Sequence, residues 1–247
     1  MNTLKLTLAG LAFLTTTGLA TAECRQALAL GLDVSGSVDA REYGLQMQGV
    51  AGALEDPSVQ QALLGQPGGH VDLMVFEWSG PQDQHVVQPW RSLRSAADIA
   101  EVAGRLRQAQ RVGGAPTTAI GAAMQMGATA LQSRDCARRV LDLSGDGVAN
   151  AGPLPQTVKT SAIVQGITVN GLIIADFAAD PSSRHPTGPE GLTAYYQSYV
   201  IQGPQAFTEL ALGFDDYQDA MTRKLIRELY GAGLMQAPSL PVTLAAQ

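Results

Sequence analysis

The chain has 247 residues, 45% of them hydrophobic and 15% charged, with a formal net charge of −6. That length and balance suit one large domain with a substantial core and are too small for two ordinary ones. No basic run stands out, since Arg138-Arg139 and Arg223-Lys224 are short pairs of the kind that sit on solvated element ends, so a nucleic-acid partner is excluded.

Residues 1–22 read as a secretory signal: Lys5, then the apolar stretch Leu6–Leu14, then small residues closing on Ala20-Thr21-Ala22. The segment is too short and wrongly flanked for a membrane span, and no later run is long enough for one. Glu23 directly precedes Cys24, where a lipid-modified cysteine needs a small residue, so lipid anchoring is rejected. The expected product begins at Glu23, lies outside the cytoplasm, secreted or periplasmic, and has a net charge of −7 once Lys5 is gone from the total of −6.

The apolar run 27–32 predicts a buried strand, followed by an amphipathic helix from Asp39 to about Leu54. Val71–Trp78 and His85–Trp90, joined by the turn-like Ser79-Gly80-Pro81-Gln82-Asp83, predict an antiparallel hairpin at a sheet edge. Helical pattern returns at Ala96–Ala109 and from about Thr118 to Leu131, then a strand at Val140–Ser144, a helix at Pro155–Gln165 and a buried strand at Ile167–Ile174. Asp176–Gly191 is a long irregular stretch, a partner-contact element or an exposed excursion. A short helix over Leu192–Ile201, with Tyr195, Tyr196 and Tyr199 spaced for packing, an edge strand at Ala206–Leu210 and a closing helix at Phe214–Tyr230 complete the domain at residues 23–231. Residues 232–247, with Pro238 and Pro241, read as a loose tail. Alternation of strand and helix implies an α/β fold: a doubly wound, mainly parallel sheet with one antiparallel edge strand and helices on both faces.

Asp33-Val34-Ser35-Gly36-Ser37 leaves the first strand with a carboxylate and two hydroxyls at alternate positions. It reads equally as a turn, with Ser37 or Asp39 capping the next helix, or as three oxygen ligands for one hard cation. Two further loops offer oxygen donors where a doubly wound sheet binds ligands: Gly113-Gly114-Ala115-Pro116-Thr117-Thr118 opening a helix, and Ser144-Gly145-Asp146-Gly147 after a strand. Cys24 lies nine residues before Asp33 and Cys136 ten before Asp146, so if those carboxylates top neighbouring parallel strands, both cysteines lie near the strand bottoms and form a Cys24–Cys136 disulfide.

Three such loops in this order resemble the von Willebrand factor A domain family, whose metal-ion-dependent adhesion site (MIDAS) combines Asp-x-Ser-x-Ser, a threonine on a second loop and an aspartate on a third. The resemblance covers about residues 25–231 and implies metal ligation by Asp33, Ser35, Ser37, Thr118 and Asp146, with Thr118 preferred to Thr117. Asp33-Val-Ser-Gly-Ser37, Glu77-Trp-Ser-Gly80, Thr118-Ala-Ile-Gly121, Asp142-Leu-Ser-Gly-Asp-Gly147, Asn170-Gly-Leu172 and Tyr195-Tyr196 further resemble the bacterial exported DUF1194 subfamily. The implied cofactor is Mg2+, or Mn2+ or Ca2+, because the donors are all oxygen. The implied function is a divalent-cation-dependent protein-binding module, not an enzyme, whose partner presents Asp or Glu to the metal. A metal-assisted phosphoester hydrolase is the alternative.

Weaker expectations attach to other residues. Asp142 inside an apolar strand needs hydrogen-bond partners and either buttresses the metal loops or serves a structural network. Glu77 and Trp78 either border the partner surface or are, respectively, solvated and packed. His70, His85 and His185 lack metal-ligand spacing and are expected on the surface or in loops.

Overall fold

A computed structural model describes residues 23–65, 69–175 and 188–231. The signal segment 1–22, the tail 232–247 and His185 with most of the 176–191 stretch lie outside the described residues.

Six strands form one sheet in the order β3-β2-β1-β4-β5-β6. Their ranges are β1 (Glu23–Asp33), β2 (Gly69–Trp78), β3 (Gln84–Leu93), β4 (Arg138–Gly145), β5 (Thr168–Ala175) and β6 (Thr208–Leu212). All neighbours pair in parallel except β2 with β3, the expected edge hairpin. The chain builds outward from β1 to β3, then crosses back to lay β4 on the other side of β1. Strand order therefore reverses between β1 and β4, and the crevice beyond their carboxyl ends is where this architecture binds ligands.

Helices cover both faces: α1 (Ala40–Glu55), α2 (Pro57–Leu64), α3 (Ala96–Arg107) and α7 (Tyr217–Tyr230) on one, α4 (Ile120–Gln132), α5 (Pro155–Lys159) and α6 (Pro189–Tyr199) on the other. Alternation along β1 divides the core in two. Leu28, Leu30 and Leu32 pack under α1 and α7, whereas Ala27, Ala29 and the site residue Asp33 point to the α4–α6 side. Small residues on the second side leave room for Phe76 and Trp78 of β2, both fully buried.

Two elements differ from the sequence reading. Asp56, whose side chain accepts from the Ser58 and Val59 amides, ends α1 and caps a separate α2 begun by Pro57. The helix expected over Pro155–Gln165 stops at Lys159 and resumes only as a 3-10 turn, Ala162–Val164. Here the Thr160 and Ser161 hydroxyls turn back onto backbone carbonyls, the local competition that weakens a helix.

At the opposite end from the crevice, a disulfide joins Cys24 on β1 to Cys136 just before β4, closing a separation of 112 residues. The Ala137 amide donates to the Cys24 carbonyl at 3.0 Å, so the bridge sits where the two neighbouring strands begin together. Beside it, buried Asp72 accepts from Ser92 and Arg134 and lies 3.3 Å from His70. His70 is thus a buried strand residue, not the surface residue expected, because it packs against this carboxylate. His85 is exposed.

Candidate metal centre

The loop between β1 and α1 is a turn that ends on Asp39, one of the two cap residues expected. Asp39 caps α1 in a full capping box: its carboxylate accepts from the Glu42 amide, and the Glu42 carboxylate accepts from the Asp39 amide, each at 2.8 Å. Capping therefore leaves Ser35 and Ser37 free. Ser37 donates to Asp146 Oδ1 at 2.9 Å, and the Ser35 and Ser37 hydroxyls lie 3.3 Å apart.

The second loop enters from the start of α4. Ala119 occupies the cap position without a side-chain cap, so the Thr118 hydroxyl is not consumed by the helix. It reaches Ser35 Oγ at 3.5 Å. Asn150 holds the threonine by a reciprocal pair, its Oδ1 accepting from the Thr118 amide at 2.8 Å and its own amide donating to the Thr118 carbonyl at 3.0 Å. Thr117 turns elsewhere: its buried hydroxyl would lie 3.3 Å from a Cβ built on Gly80. All five residues singled out from the sequence, Asp33, Ser35, Ser37, Thr118 and Asp146, thus meet at one end of the sheet through these contacts and through the Ser35 amide, which donates to the Asp33 carboxylate.

Electrostatics make this cluster costly without a cation. Asp33 is fully buried, and only one carboxylate oxygen has a partner, Oδ1 accepting from the Ser35 amide at 2.8 Å. Burial, then the nearby Asp146 charge, pushes its carboxyl up to about 8. Burial likewise raises Asp146, with Glu42 adding repulsion. Two carboxylates that resist ionisation and three neutral hydroxyls fit a hard divalent cation, which would compensate the charge.

Three supports were not anticipated. Arg111 donates to three carbonyls of the first loop, from Nη1 to Val38 at 2.7 Å and from Nη2 to Val34 at 2.6 Å and Ser35 at 3.0 Å. An arginine nearly eighty residues away carries no local signature of that role. Gln46 of α1, completely buried, donates to the Asp33 carbonyl at 3.0 Å. Pro116 covers Gly36, whose amide donates to the Pro116 carbonyl at 3.4 Å, so Pro116 packs the second loop onto the first.

Other expectations need correction. Of its two expected roles, Asp142 takes the structural one rather than standing behind the crevice loops. It pairs in register with Leu30 and so faces α7, where it contacts the fully buried Lys224 ammonium, itself 3.3 Å from Glu228. Glu77 is buried rather than solvated, accepting from the Tyr43 hydroxyl at 2.6 Å, and Trp78 packs in the core. Cys24, Asp72 and Cys136 crowd together in a grouping that could suggest a second metal site, but both sulfurs are spent in the disulfide.

The sheet order and the crossover at β1 give a fold similar to that of a solved von Willebrand factor type A structure from Catenulispora acidiphila (TM-score 0.54, 13% identity, 83% of this chain and 43% of that one). Solved structures of similar fold include proximal thread matrix protein 1 from the mussel byssus (TM-score 0.58, 14% identity, 85% of this chain and 49% of that one). A structure of the same mussel protein with a zinc-occupied MIDAS motif also matches, at TM-score 0.56 and 16% identity over 85% of this chain and 48% of that one. The pilus adhesin SpaC from Lactobacillus rhamnosus GG matches at TM-score 0.60 and 17% identity, over 85% of this chain and 31% of that one. The chain thus spans half or less of the length of these structures. No curated protein sequence matches. The chain belongs to the DUF1194 family, described as a protein of unknown function, whose profile matches residues 23–233.

Proposed function

We propose that residues 23–231 form an exported, divalent-cation-dependent protein-binding module, in which Asp33, Ser35, Ser37, Thr118 and Asp146 hold the cation. The convergence of Ser35, Ser37 and Thr118 on the paired carboxylates carries this reading. A bound cation would supply Lewis acidity toward an incoming carboxylate, because serine and threonine hydroxyls donate no charge to offset it. The chain's own residues do the rest. Buried Ser35 and Asp33 form the floor, exposed Ser37 and half-buried Asp146 form the rim, and Arg111 keeps the first loop in place. The partner's group is an Asp or Glu side chain, and the all-oxygen set favours Mg2+, then Mn2+ or Ca2+.

The zinc-loaded motif in the mussel protein and the adhesin among the structural relatives support a metal-dependent, adhesion-type role. Export is supported by the disulfide, which persists in oxidising compartments. Among the described residues no helix is long and apolar enough to cross a membrane. Binding is favoured over phosphoester hydrolysis because, among the described residues, the Ser35 and Ser37 hydroxyls bond to each other, Thr118 and Asp146, with no imidazole base as partner.

Calorimetric titration of the purified protein with Mg2+ and Mn2+, beside Asp33→Ala, tests the site. Expected are saturable binding by the wild type and none by the variant. Retention of an acidic protein partner on the immobilised domain should then require the cation and vanish with chelator. Wild-type protein that binds neither ion overturns the reading, and cation-dependent turnover of a phosphoester would replace it with the hydrolase.

A further inference from the structure

Asp33 Oδ2 is not the only orphan at the base of the crevice. Among the described residues the Tyr196 hydroxyl and the Trp78 indole nitrogen are also buried without hydrogen-bond partners. All three meet around Gly145, the last residue of β4. A Cβ built there would lie 3.2 Å from Asp33 Oδ2 and 3.4 Å from Trp78 Cζ2, and would collide with the Tyr196 hydroxyl. Cζ2 and Nε1 share a bonded carbon in the indole, so the Trp78 nitrogen lies two bonds from the carbon nearest this spot.

The placement of Tyr196 is built into the sheet. Its ring leaves α6 and lies across Gly171 of β5, where an added Cβ would come within 2.8 Å of Tyr196 Cδ1. Gly171 and Gly145 thus clear a slot that leads the phenol from the helix to the carboxylate. A larger residue at either position would fill the slot. If the ring served packing alone, phenylalanine would fill the same space without burying an unpaired hydroxyl, which costs stability.

We propose that Tyr196 and Trp78 are positioning residues for the metal ligand Asp33, their O–H and N–H forming a dedicated donor pair that takes up Oδ2 when the cation is bound. Two such donors would orient the carboxylate for ligation, as outer partners do for metal-bound side chains elsewhere. The inference rests on the cation-site reading above.

Mg2+ titration of wild type and Tyr196→Phe, with thermal unfolding of both in chelator, tests it. Expected is a loss of about ten-fold or more in Mg2+ affinity for the variant, with a cation-free melting temperature unchanged or higher because an orphaned hydroxyl has gone. A second measurement uses Trp90→Phe, which leaves Trp78 as the sole tryptophan of the two in the chain. Its emission should change as Mg2+ saturates, and Tyr196→Phe in that background should shift the midpoint to higher Mg2+. If Mg2+ binds the wild type but affinity in Tyr196→Phe stays within about two-fold, or if Trp78 emission ignores saturation, the donor pair is overturned and the cation site stands. Absence of Mg2+ binding in the wild type would overturn both.

Discussion

Ser37 donates a 2.9 Å hydrogen bond to Asp146 across 109 residues of sequence. The contact joins the loop after β1 to the loop after β4 at the point where strand order reverses. It places two of the anticipated cation ligands together before any ion is considered.

That juxtaposition is expected to be cation-sensitive. Mg2+ or Mn2+ should raise the melting temperature of the wild type, since a ligand of the native state stabilises it by mass action, by about 2.7 kcal/mol at a hundred-fold excess over Kd. Asp33→Ala should abolish the rise. Differential scanning calorimetry checks this, and equal shifts in both proteins would count against the five-residue site.

The raised carboxyl of Asp33 gives a pH dependence of definite sign. Between its ordinary value of 3.8 and about 8, the folded protein holds a proton that the unfolded chain has released. Stability from this group therefore falls as pH rises through that window. Asp33→Asn should gain on the wild type from pH 4 to pH 8 in chelator, and Mg2+ should narrow the gap by stabilising only the wild type. Thermal unfolding at several pH values provides the comparison, and parallel curves would contradict it.

Arg111→Ala should loosen the first loop. It removes charged hydrogen bonds to Val34, Ser35 and Val38, a loss of about 1.5–3 kcal/mol for such a group. Cation affinity should weaken with it, and Arg111→Lys should restore only part, because an ammonium lacks the planar fork that spans several carbonyls. Urea denaturation and metal titration together measure both effects.

Lys224 presents the opposite case, important to stability but remote from the cation. Burial alone would lower its ammonium, yet the Asp142 and Glu228 carboxylates hold it above its ordinary value. Burial and the Asp142 charge push Glu228 well up, so Lys224 chiefly balances Asp142. Lys224→Ala should cost about 3–5 kcal/mol by stranding that charge. Mg2+ affinity of the folded fraction should be unchanged, because Asp142 and Asp33 lie on opposite faces of the sheet.

Replacing Cys24 and Cys136 together with alanine should lower stability by about 4–5 kcal/mol on the chain-entropy account of a loop this long. Chemical denaturation of the double variant reads this directly. Peptide mapping without reductant should recover the two cysteines joined, and free thiols in exported protein would contradict the pairing.

Element order and type were legible from apolar runs and their breaks, and β1, β2, β4 and β5 were all anticipated within a few residues. The three loops that meet at the crevice could be read because each carries its oxygen donors within a few consecutive positions. The disulfide followed from counting back along two strands. The direction of Asp142 was not legible: β4 is buried on both sides, so its sequence has no polar alternation to mark one face from the other.

What the sequence determined by itself is therefore whatever is encoded locally: strand and helix periodicity, loop chemistry and residue count between landmarks. Tertiary structure alone decided that Asp39 rather than Ser37 caps α1, that Arg111 clamps the first loop, and that the Tyr196 hydroxyl and Asp33 Oδ2 both lie beside Gly145. Those roles depend on which faces meet when strands set their register and helices dock, and a face is a property of the packed sheet that no short stretch of residues contains.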